Sequence, residues 1–188
     1  MAWGMRNILF CIEGSSIMEG RIGVDDPLDR WYNLFQGLLS RAHPEMCFPV
    51  FNSAVGGEST REIMSRFDRD IIPHNPDFCL FMAEGNNHDC QNPSRILAEG
   101  EFRALLDSFA ARLPGRTHPV GVVLNPVVDE WHFATRHPAY REHLASFGGS
   151  LDASLNPERE SARSFYTQHG WPCLDLYALM SDHPAKYV

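Results

Sequence analysis

Three short stretches of this 188-residue chain carry residues that could do chemistry at close quarters. In the first, Glu13-Gly14-Ser15-Ser16 follows directly on the apolar run 8–12, and Gly20 closes it. A serine held at such a strand-to-helix turn stands exposed at the helix start, where its hydroxyl can act as a nucleophile. The same letters also describe a plain Gly-Ser turn or cap. In the second stretch, Asn52 to Thr60, the pair Gly56-Gly57 leaves backbone N–H groups free to face an anion, as an oxyanion hole requires, or makes a simple tight turn. The third, Gly85-Asn86-Asn87-His88-Asp89, can add a side-chain amide donor, or be a loop of residues that tolerate left-handed backbone.

Positioning those turns is the task of the elements around them. Five short apolar runs, at 7–12, 47–51, 78–83, 120–124 and 173–177, have strand length and no strict alternation, which predicts strands buried on both faces. Segments of helical period lie between them. Asp26-Pro27 predicts a helix start, with Leu28, Trp31, Phe35, Leu38, Leu39 and Ala42 on one face until Pro44. Ser59 with Glu62 reads as a capping box that opens a helix carrying Ile63, Met64, Phe67 and Ile71 inward. Leu97, Phe102, Leu105, Leu106, Phe109 and Leu113 make a third face closed by Pro114-Gly115, and Asn156-Pro157 starts a fourth helix that stops at Gly170. Alternating strands and helices predict βαβ units and a mainly parallel sheet. Ligands of such sheets bind beyond the carboxyl ends of the strands, where all three turns fall. The irregular stretch 127–156 reads as an excursion on that side or a surface insertion. Trp131, Phe133 and Tyr140 within it are sugar-stacking candidates, with core packing the stronger expectation.

Composition narrows the rest. With 44% hydrophobic and 21% charged residues, the chain reads as one ordinary globular domain, 1–188. Sixteen basic against 24 acidic residues give a net charge of −8 and no basic run, which argues against a nucleic-acid partner. No apolar run approaches a membrane span, so a cytoplasmic protein without membrane contact is expected. Five cysteines without a CxxC pair predict free thiols rather than a disulfide framework or zinc knuckle. Spacings of five and six residues between His132, His137 and His143 do not match a one-face metal pair, and no metal or other cofactor is expected.

Taken together, the three turns resemble the SGNH (GDSL-like) hydrolase family over nearly the whole chain. The run Ile8-Leu9-Phe10-Cys11-Ile12-Glu13-Gly14-Ser15-Ser16-Ile17 is similar to the block that presents the nucleophile, placing it at Ser16. Asn52 to Thr60 resembles the second block, with Gly57 at the oxyanion glycine. Pro76-Asp77-Phe78 through Asn87 resembles the third, with Asn87 at the oxyanion asparagine. The resemblance implies a flavodoxin-like three-layer α/β/α sandwich and metal-free hydrolysis of a small acyl ester, such as an acetyl group on a carbohydrate. Ser16 would attack, a histidine oriented by an aspartate would take its proton, and the N–H groups of Ser16, Gly57 and the Asn87 amide would hold the oxyanion.

Three departures stand out. Ser15 and His88 replace two aspartates of the family pattern, and the family's Asp-x-x-His does not follow the last predicted strand. His183 is the histidine nearest that place, with Met180 three residues before it. The expectation is therefore a sequence that stops short of its catalytic loop and last helix, leaving the chain as written nearly inactive. The rival expectation is a catalytically degenerate SGNH-fold protein that binds a glycan or ester. A flavodoxin-like module holding phosphate or a nucleotide at the glycine turns has no matching glycine-rich motif.

Overall fold

A computed structural model describes residues 6–98 and 100–186 of the chain. Strands β1 (Phe10–Glu13), β2 (Val50–Asn52), β3 (Phe78–Phe81), β4 (His118–Val123) and β5 (Cys173–Asp175) form one sheet in the order β2-β1-β3-β4-β5. Every pairing within it is parallel. Each predicted run thus delivers a strand, with its ends moved by a few residues. The first run is interrupted at Ile8 and Leu9; the Leu9 N–H donates to Asp77 Oδ2, and its carbonyl accepts the N–H groups of Asp77 and Phe78 at the start of β3. Before that break, Arg6–Asn7 pairs separately with Met46–Cys47.

The two faces of the sheet are covered by different helices, which makes the three layers expected. On one face Cys11, Cys79, Phe81 and Val123 meet α3 (Thr60–Asp70), α4 (Glu101–Arg112) and α7 (Asn156–Gln168). On the other, Ile12, Met82 and Val122 meet Met18 of α1 (Ser16–Glu19), Trp31 and Tyr32 of α2 (Trp31–Ala42) and Leu176 of α8 (Leu176–Met180). Cys11 and Cys79 sit opposite each other in adjacent strands, both fully buried. Cys173 departs from the buried structural role expected for strand cysteines, because β5 is an edge strand and leaves it exposed.

Helix starts follow their caps with one exception. The Ser59–Glu62 capping box forms in full, and Ile63, Met64, Phe67 and Ile71 are buried as the period predicts. At Asp26-Pro27 the cap is real, but it opens only a 3-10 turn over Pro27–Asp29. Arg30 then takes extended backbone and α2 begins at Trp31. Leu28 and Leu38 consequently face solvent, 72% and 60% exposed, while Phe35 packs edge-on against Phe10. Residues 127–156 fold into short turns with α5 (Arg141–Ala145) and α6 (Leu151–Ser154) around a small core of their own, built from Ala134, Tyr140, Leu144, Leu151 and Leu155.

Candidate active site

The turns after β1, β2 and β3 converge at the carboxyl end of the sheet, beside its switch in strand order. At the first, Gly14 has φ +151°, and a Cβ there would lie 2.6 Å from Met18 Cγ, so only glycine passes. Ser15 caps α1, and Ser16 is the first helical residue, half-buried in the wall of a crevice of about 310 Å³. The third turn presses on the second: a Cβ on Gly85 would come within 2.5 Å of the Glu58 carbonyl oxygen. That close approach lets the Asn86 N–H donate to the same carbonyl at 2.8 Å.

The two asparagines of the third turn point opposite ways. Asn86 lines the crevice, and its Nδ2 donates to Ser15 Oγ at 3.0 Å and to the Glu58 carbonyl at 3.1 Å. Asn87 is turned away, 4% exposed. Its Oδ1 accepts the Thr60 N–H at 2.9 Å, and its Nδ2 donates to Thr60 Oγ1 at 2.8 Å and to Glu158 Oε2 at 2.9 Å. With both amide hydrogens used in the interior, Asn87 is a staple between the third turn, α3 and α7. The expectation of Asn87 as oxyanion donor is therefore corrected: the crevice receives its neighbour.

Gly57 sits in the second turn with φ +85°, outside the crevice lining. The adjacent Gly56 N–H donates to this chain's own Glu19 Oε2 at 3.1 Å. Ser16 is thus brought into the crevice with Ser15 and Asn86, whereas Gly57 and Asn87 stand behind it.

Histidines His88 and His132 line the same crevice. Burial pushes the His88 imidazole down to about 4, with the nearby His132 and His143 adding to the effect, and its Nδ1 is buried without a partner among the described residues. His132 is lowered as well by burial. Its Nδ1 accepts the Ala134 N–H at 3.3 Å, so the neutral ring carries its proton on Nε2 and is a donor. His183 is exposed in the C-terminal turn and does not line the crevice. Asp175 is engaged too, capping α8 through the Ala178 N–H and pairing with Arg163 at 2.6 Å.

Charged groups missed in the sequence frame the site. Glu84 is buried in the crevice wall, where desolvation pushes its carboxyl up to about 8; Oε1 accepts the Leu124 N–H, and Oε2 has no partner among the described residues. Glu158 rises to about 7 for the same reason. Glu13 is fully buried beneath the nucleophile turn; burial carries its carboxyl up to about 7 against the pull of Arg66 at 2.7 Å. Apolar side chains make most of the remaining wall, among them Ile17, Met82, Leu124, Val127, Leu151 and Leu155. Trp131 lines the mouth and is 56% exposed, as is Phe133, whereas Tyr140 is in the core. Core packing thus holds for Tyr140 and fails for the other two. Among the described residues, no group of three His, Cys, Asp or Glu could hold a metal ion, and no helix is long and apolar enough to cross a membrane.

No family model matches the sequence, and no curated protein matches it. Solved structures share its fold. An alpha/beta hydrolase enzyme from the metagenome of Lake Arreo superposes over 100% of this chain and 85% of its own, with a TM-score of 0.71 at 16% identity. An acetyl xylan esterase matches over 95% and 82%, with a TM-score of 0.69 at 14% identity. A lipase/acylhydrolase from Enterococcus faecalis matches over 96% and 81%, with a TM-score of 0.65 at 16% identity.

Proposed function

We propose that this chain is a serine ester hydrolase of the SGNH type. The observation that carries this reading is the bond from Asn86 to Ser15, which joins turns 71 residues apart at the lip of the crevice that holds Ser16. Ser16 Oγ attacks the ester carbonyl as its proton passes to a histidine base, with His183 the candidate tested below; that proton leaves with the alcohol, and water then releases the acyl group. The developing oxyanion is held by the Ser16 N–H and by the Asn86 amide, one of whose two hydrogens turns to it from the Glu58 carbonyl, which keeps the Asn86 N–H. Ser15 Oγ, which accepts from Asn86, keeps its own hydrogen to donate to the same oxygen. Asn87 takes the place that an aspartate fills in the family pattern, tying the third turn to Thr60. Glu84 stays protonated at neutral pH and leaves the crevice without a fixed charge near the carbonyl.

The substrate is a small ester with an uncharged acyl or alcohol part. Apolar walls favour it, and an apolar cavity of about 150 Å³ already takes a benzene molecule, half the volume found here. The exposed Trp131 at the mouth offers a face on which a sugar ring could stack, in keeping with the acetyl xylan esterase among the similar structures.

A fluorophosphonate probe and a panel of p-nitrophenyl esters test this reading. Wild type should be labelled on Ser16 and should turn over the esters, and Ser16→Ala should do neither while unfolding at the same temperature. Turnover retained in Ser16→Ala removes the nucleophile assignment. His183→Ala tests whether that residue swings in as base: unchanged turnover excludes it. The donor tautomer of His132 favours a second reading, a crevice that binds an ester or glycan without cleaving it. Saturable binding of an acetylated sugar with no turnover in any assay selects that alternative.

A further inference from the structure

Arg66 projects from α3 into the space beneath the three turns and is 7% exposed. Its guanidinium reaches groups from two of them at once. Nη2 meets Glu13 Oε1 at 2.7 Å and the Gly14 carbonyl at 3.4 Å, at the start of the first turn. Nη1 donates to the Ser53 carbonyl at 2.5 Å and Nε to Glu58 Oε2 at 2.7 Å, at both ends of the second. Asp70, one helical turn on, completes the set at 3.2 Å. Glu58 then passes the connection to the third turn, because its carbonyl accepts from both Asn86 N and Asn86 Nδ2. Glu13 is clamped from the other side by Ser53 Oγ at 2.6 Å and accepts the Gly14 N–H at 3.3 Å.

We propose that Arg66 and Glu13 are positioning residues for Ser16 and Asn86, a buried guanidinium–carboxyl pair that fixes the three turns in one mutual register. The sequence lacks the carboxylate expected beside the nucleophile, where Ser15 stands. A carboxylate two residues earlier, on the strand rather than in the turn, does the holding from below. A guanidinium suits the task because its planar fork satisfies several acceptors in fixed directions, which an ammonium cannot do. The catalytic consequence rests on the esterase reading; the mechanical one does not.

The deciding experiment is amide hydrogen exchange on wild type, Glu13→Gln, Arg66→Lys and Arg66→Met, with ester turnover in parallel. Glu13→Gln keeps the shape and removes the charge, so it should fold even where Arg66→Met does not. Expected in Glu13→Gln is at least tenfold faster exchange at the amides of Val55 and Asn86, with Ile63 in α3 and Leu80 in β3 within twofold of wild type. Arg66→Lys should give the same pattern, since a point charge restores the pair but not the fork. In the active enzyme kcat should fall at least tenfold with KM within twofold. Exchange unchanged at the turns, or raised equally throughout the domain, overturns the proposal. Turn-specific exchange in a protein that hydrolyses nothing leaves the positioning role standing and removes the esterase reading instead.

Discussion

Two arginines are buried at the carboxyl end of the sheet, and they do their holding with different partners. Arg66, under β1 and β2, is surrounded by acids: Glu13, Glu58 and Asp70. Arg159, fully buried at the start of α7, holds the turn after β4 chiefly through carbonyls. It donates to Leu124 O at 3.2 Å, Asn125 O at 2.7 Å and Asp152 O at 2.9 Å, with Asp152 Oδ1 at 2.8 Å as its only charged partner among the described residues. An acid can take up a proton when its partner is lost, but a carbonyl cannot. The comparison teaches that the nucleophile side of the crevice has an adjustable foundation and the far wall a fixed one.

That difference is most exposed by deleting each arginine. Arg159→Met should destabilise the fold by about 3–5 kcal/mol in urea unfolding, the usual consequence of orphaning a buried charged partner, compounded by the stranded carbonyls. Arg66→Met should cost less at pH 6, because Glu13 neutralises, and the gap between the two variants should narrow at pH 8.5. Equal losses at both pH values would erase the distinction.

On the nucleophile side, Asn86→Ala should lower kcat by about 10²–10³, the loss of one oxyanion donor, with little change in stability. Asn87→Ala should do the reverse, unfolding the protein more readily because Thr60 and Glu158 lose their partner. If Asn87→Ala alone abolished turnover in a stable protein, the exchange of roles between the two neighbours would be wrong.

The pH dependence of stability sharpens the comparison further. Glu13, Glu84 and Glu158 all have carboxyls raised by burial, to about 7, 8 and 7. In each, the folded state binds a proton that the unfolded state has already lost, so the contribution is largest near pH 5 and is lost as pH rises through 7 to 8. His88 opposes this only below its ordinary range, since its lowered imidazole favours folding above about 6.5. The melting temperature should therefore fall between pH 5 and pH 8.5, by a free energy on the order of a few kcal/mol. Glu84→Gln should flatten the slope. The smallest effect belongs to the far wall. Val127→Trp should fill the crevice and shift preference toward shorter acyl groups, by about fourfold in kcat/KM per methylene excluded, read from a p-nitrophenyl ester series.

Much of this frame was legible in the sequence, for reasons that differ by residue. The capping box at Ser59 and the five strand runs depend on local chemistry and appear close to where the letters put them, but the edge strands β2 and β5 are not buried on both faces as expected. Asn86 and Asn87 could not be told apart, because successive side chains in a non-helical segment face opposite ways and one position of offset decides which meets the crevice. Asp26-Pro27 gave a true cap, but Arg30 broke the helix behind it, a tertiary choice with no local mark. Glu13, Arg66 and Arg159 were missed because charge reads as surface. A signal existed: Arg66 falls three residues after Ile63, and Arg159 three and seven before Ala162 and Tyr166, on the inward faces of their helices.

Cys11 and Cys79, facing each other in adjacent interior strands, give the protein a built-in clock. Burial lifts the Cys11 thiol to about 12 and pushes that of Cys79 well above its ordinary range, so neither reacts while the sheet is intact. Cys173 on the edge strand is open to reagent at all times. Timed alkylation followed by mass spectrometry would thus separate an immediate modification at the edge from a slow one at the centre. The slow rate counts how often the middle of the sheet opens, with no residue substituted.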